Sequence, residues 1–69
     1  MKLRTVRIAR GMTQQELAKK VRMDQGKISR IERGLMDLTV TELVALARAL
    51  DVHPAELLPD DPDLDEPDK

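Results

Sequence analysis

Residues 13–34 read TQQELAKKVRMDQGKISRIERG. Thr13 followed three residues later by Glu16 is a capping box, which opens a helix, and Leu17, Ala18 and Val21 give that helix an apolar face. Arg22-Met23-Asp24 breaks it. Asp24 suits the N-cap of a next helix over about residues 25–33, with Ile28 and Ile31 facing inward and Gly34 ending it. Two helices joined by about three residues predict a helix-turn-helix arrangement.

Working outward, Lys2–Arg10 is predicted helical with Leu3 and Val6 on one face and Gly11 as its stop. A second capping box, Thr39 with Glu42, precedes Leu43, Leu46, Ala47 and Leu50, whose spacing is the strongest helical periodicity in the chain. His53 at an N-cap, Pro54 behind it and Glu56 predict one or two further turns that end in Leu57 and Leu58. No segment alternates with period two. The fold class expected is all-α, a compact bundle of four to five short helices over residues 1–58.

The second helix of the central pair is unusual on its outer side. Projected at about 100° per residue, Gly26, Ser29, Arg30 and Arg33 lie opposite Ile28 and Ile31, flanked by Gln25 and Lys27. Glu32 sits at the boundary toward the core. Exposed helix faces usually mix acids and bases, whereas this one has bases, an amide, a hydroxyl and a glycine. Gln suits adenine and Arg or Lys suits guanine in a major groove. Gly26 lets a helix N-terminus approach closely. Periodicity and charge alone leave a solvated basic face equally open.

Composition narrows the choices. Sixty-nine residues make one small domain, which buries roughly 60% of its unfolded surface. There is no Cys, so no disulfide or thiolate metal site is available, and no Phe, Tyr or Trp, which removes base stacking on aromatic rings. Nothing approaches a membrane span or a signal peptide, and the expected compartment is cytoplasmic. Residues 1–58 hold 11 Lys/Arg against 7 Asp/Glu, a balance of +4, and residues 59–69 hold 1 Lys against 6 Asp/Glu, a balance of −5. The net charge of −1 therefore conceals a basic domain with an acidic, Pro-rich tail, expected to be disordered. A solvated linker is the simple reading of that tail. Electrostatic competition at the basic helix face is the sharper one.

His53 is the only histidine, and at a helix start it reads as a cap or surface residue. No nucleophile, base and oxyanion donor can be assembled around it. No catalytic residue, metal ligand or cofactor is assigned, and an enzyme is excluded. Met12 and Met23, beside helix ends, are expected to fill the core.

The stretches GMTQQELAKKVRMDQGKISRIERGL and LTVTELVALARALDV resemble the Cro and phage-repressor-like (XRE-type) helix-turn-helix family over about residues 3–58. The shared motifs are T-Q-x-E-L-A, I-S-x-I-E-R-G and L-x-x-L-A-x-A-L. The resemblance implies a lambda-repressor-like bundle and a sequence-specific regulator of transcription, repressor-like. It implies a homodimer on a palindromic operator of double-stranded DNA, with the helix at about residues 25–33 in the major groove. By position it implies base contacts from Gln25, Gly26, Lys27 and Arg30. Flanking or backbone contacts are expected from Gln14, Ser29 and Arg33, and from Lys19 and Lys20 where these reach phosphate. It further implies an internal salt bridge between Arg7 and Glu32. Three positions depart from the family pattern: Arg22 and Leu38, where Gly and Pro are usual, and Gly26, where many members carry a base-reading side chain. Leu35, Met36, Leu38 and Val40, joined by Leu57 and Leu58, are the expected apolar dimer surface. The same patch supports an alternative, an antitoxin-like or co-regulator module whose partner is a protein.

Overall fold

A computed structural model of the protein describes residues 1–58. The expectations for the acidic tail lie outside the described residues. Four α-helices follow one another, α1 (Leu3–Ala9), α2 (Gln14–Val21), α3 (Gln25–Glu32) and α4 (Val40–Leu50), and a 3-10 helix, Pro54–Leu57, follows them. There is no strand among the described residues. Both predicted capping boxes form. The Thr13 hydroxyl accepts from the Glu16 backbone N–H at 3.0 Å while the Glu16 carboxylate accepts from the Thr13 N–H at 2.8 Å. Thr39 and Glu42 repeat the arrangement at 3.1 and 2.9 Å. Asp24 occupies the N-cap position of α3, but its side chain makes no capping bond. His53 caps the 3-10 helix through Nδ1, which accepts from the Ala55 N–H at 3.1 Å.

The helices end in two ways. Gly11 and Gly34 follow α1 and α3 with φ of +72° and +75°, the left-handed conformation that glycine adopts freely. Arg22 and Asp51 end α2 and α4 in the same conformation, at φ of +59° and +58°. The turn between α2 and α3 therefore keeps its left-handed residue although an Arg occupies it, at a local cost of roughly 1 kcal/mol.

Leu3, Leu17, Ala18, Ile28, Ile31, Leu46, Ala47, Leu50 and Leu57 form one buried core, with Val6, Met12, Met23, Leu38 and Leu43 packed against its edge. Leu57 is 0% exposed, which corrects the expectation that it belongs to an outward apolar patch. The Lys2 backbone N–H donates to its carbonyl at 2.8 Å, so Leu57 links the first helix to the last turn. Leu38 is also half-buried on the core rather than outward. Leu35, Met36, Val40 and Leu58 stay exposed.

Candidate nucleic-acid interface

α2 packs against both α3 and α4. Burial of Leu17 and Ala18 against Ile28 and Ile31 holds α3 with one side in the core and the other in solvent. Gln25, Gly26, Arg30 and Arg33 are exposed, and Lys27 and Ser29 are half-buried. The one acid of α3, Glu32, points inward, and its side chain is 1% exposed. The outward face of α3 therefore has no negative charge, and the partial positive charge of the helix N-terminus adds to it.

The inward turn of Glu32 is held by two residues, Arg7 and Gln14. Arg7 Nε donates to Glu32 Oε2 at 2.6 Å and Arg7 Nη2 to Oε1 at 3.2 Å. Arg7 Nη1 donates to the Met12 carbonyl at 2.7 Å. Gln14 Nε2 donates to Glu32 Oε1 at 3.0 Å, and Gln25 Nε2 donates to Gln14 Oε1 at 3.3 Å. A carboxylate can only accept. Glu32 therefore fixes which end of the Gln14 amide faces inward, and Gln14 in turn offers its oxygen to Gln25. The Oε1 and second N–H of the exposed Gln25 have no partner among the described residues, and an acceptor and a donor are what a bidentate contact with adenine needs. A buried ion pair thus sets the polarity of an amide on the surface through two hydrogen bonds.

The remaining positions divide. The Arg30 guanidinium makes no hydrogen bond or ion pair among the described residues. A Cβ built on Gly26 would lie 3.4 Å from Arg30 Nη1, so the bare backbone at Gly26 leaves this guanidinium room over the start of α3. Arg33 Nε reaches the Ser29 carbonyl at 3.4 Å. Lys27 is ion-paired with Glu42 of α4, a partner that sequence spacing did not signal. The hydrogen bond from Lys27, followed by that from the Thr39 backbone, holds the Glu42 carboxyl below its ordinary value. Lys27 therefore braces α3 against the N-terminus of α4 in the free protein. Lys19 and Lys20 stand apart. They are exposed in the last turn of α2, beside a groove shared with Gly11, Met12 and Glu16. In that last turn they also complement the negative end of the helix dipole.

Among the described residues no group of three or more His, Asp or Glu is placed to hold a metal ion. No helix among them is long and apolar enough to cross a membrane.

A family model described as helix-turn-helix matches residues 3–57. The chain is 43% identical over 61 residues to the uncharacterized HTH-type transcriptional regulator y4dL of Sinorhizobium fredii, an alignment covering 83% of this chain and 31% of that protein. The chain thus spans about a third of that relative's length. Its structure superposes with a TM-score of 0.79, at 35% identity, on the restriction-modification controller protein C.AhdI from Aeromonas hydrophila, covering 83% of this chain and 86% of the other.

Proposed function

Because the chain belongs to the helix-turn-helix family, we propose that it is a DNA-binding transcriptional regulator that lays α3 in the major groove of double-stranded DNA. The observation that carries this reading is the acid-free outer face of α3, with its only carboxylate withdrawn onto Arg7 and Gln14. In this reading Gln25 and Arg30 read bases and Gly26 allows close approach. Lys27 reaches the groove by releasing Glu42. Gln14, Ser29 and Arg33 meet the flanking backbone, and Lys19 and Lys20 add attraction at longer range.

The protein acts in the cytoplasm, repressor-like, as a homodimer. One recognition helix reads too few base pairs for a useful specificity ratio. Leu35, Met36 and Val40 are exposed together around the start of α4 and supply the contact between copies. Two α3 helices about 34 Å apart predict a palindromic operator. Selection of bound duplexes from a random pool tests this, and an enriched palindrome is the expected result. Replacement of Arg30 by Ala then weakens the selected site by about 1–3 kcal/mol and relaxes one base pair. Equal losses on selected and random DNA would remove Arg30 from base reading. A pool without enrichment would overturn sequence-specific recognition, and a stoichiometric protein partner would then support the antitoxin-like alternative.

A further inference from the structure

A groove separates the C-terminal end of α2 from the outer side of α4. Val21, Val44 and Ala45 line its floor, and Lys20, Arg22 and Arg48 rim it. Among the described residues no carboxylate lines it. Asp24 and Glu42 lie in the adjoining depression, where Glu42 is held by Lys27. The three rim cations have no ion-pair partner among the described residues.

An apolar strip edged by cations fits an acidic segment with one apolar anchor. Residues 59–69, PDDPDLDEPDK, are such a segment, with Leu64 between Asp63 and Asp65. They continue from Leu58, directly after the 3-10 helix that packs on α4. We propose that this segment docks in the groove of its own chain, with Leu64 on Val44 and Ala45 and its carboxylates on Lys20, Arg22 and Arg48. Extended, the six residues 59–64 carry Leu64 up to about 20 Å from Leu58. A short tether supplies an effective concentration of order millimolar, so even a weak contact is occupied. The outer face of α3 offers the tail charge but no apolar floor, because Ile28 and Ile31 are buried. Leu64 therefore selects the groove.

The chain has no cysteine, so pairs can be introduced into the full chain without background. Asp65→Cys is combined in turn with Ala45→Cys in the groove and with Ser29→Cys on α3, and each pair is equilibrated in a glutathione buffer without DNA. Intrachain disulfide is expected to be about tenfold or more favoured for the Ala45 pair. The preference should shrink at 1 M salt, where the Debye length is about 3 Å, and should collapse when Leu64→Ser or Arg48→Glu is added. Equal yields from the two pairs, a preference for Ser29, or an effect insensitive to Leu64→Ser would overturn the proposal. A predominantly interchain disulfide would overturn it too and assign the groove to a second copy.

Discussion

Replacing Glu32 with Ala should be among the most damaging single changes in this domain. The Arg7 side chain is 10% exposed and the Glu32 side chain 1% exposed, so the change strands a guanidinium away from water. Removing one partner of a buried pair costs about 3–5 kcal/mol. Arg7 keeps its bond to the Met12 carbonyl, which places the cost near the lower end, about 3 kcal/mol. At 0.05–0.15 kcal/mol per residue, a domain of residues 1–58 has about 3–9 kcal/mol in total. The change therefore removes a third or more of its stability. At 4–8 °C per kcal/mol, the melting temperature should fall by about 12–24 °C. Far-ultraviolet circular dichroism during urea and thermal unfolding measures this. Replacing Glu32 with Gln should cost less, about 1–3 kcal/mol, because one acceptor survives while an amide donor faces Arg7 or Gln14. The paired replacement of Arg7 and Glu32 by Met should recover most of the loss, since no charge is then buried unpaired. An unchanged melting temperature for Glu32→Ala would refute the argument, as would a double variant whose loss equals the sum of the singles.

Three further outcomes follow from the same structure. The Glu42 carboxyl titrates below its ordinary value of 4.5 because Lys27 and the Thr39 backbone bond its charged form. Its stabilising contribution is thus present above that value and lost as pH falls through the lowered one. Glu42→Gln should flatten the acid limb of stability in urea titrations at a series of pH values, and an unaltered limb would show that the pair with Lys27 is not maintained in solution. Arg22→Gly should relieve the left-handed turn and raise stability by up to about 1 kcal/mol; a lower melting temperature would mean that the Arg22 side chain contributes more than its backbone costs. Gly26→Ala should raise helix stability by about 0.5–1 kcal/mol yet weaken binding to the selected duplex, and calorimetry beside fluorescence anisotropy would separate the two effects. Tighter DNA binding by this variant would count against close approach of the α3 N-terminus.

Local chemistry made much of this protein legible in its sequence. The Thr13–Glu16 and Thr39–Glu42 boxes, the inward Ile28 and Ile31, and the glycine stops at Gly11 and Gly34 each depend on residues within one turn of each other. Such signals survive in one dimension because the partners are adjacent on the chain. The acid-free outer face of α3 was visible for the same reason. Tertiary structure decided the rest. Whether Leu57 faces water or the core depended on where the last turn docks, and it docks under α4 with its carbonyl on Lys2. The pairing of Lys27 with Glu42 spans 15 residues, and that of Gln14 with Glu32 spans 18. Each exists because two helices cross at a particular distance and rotation, which no periodicity encodes. Arg7 with Glu32 was foreseen through resemblance, not spacing, and its role in fixing the Gln14 amide emerged with the geometry. The sequence alone determined which faces are apolar and where the helices begin. The crossing of those helices decided which polar groups meet, because contacts between distant residues depend on packing that local propensity leaves open.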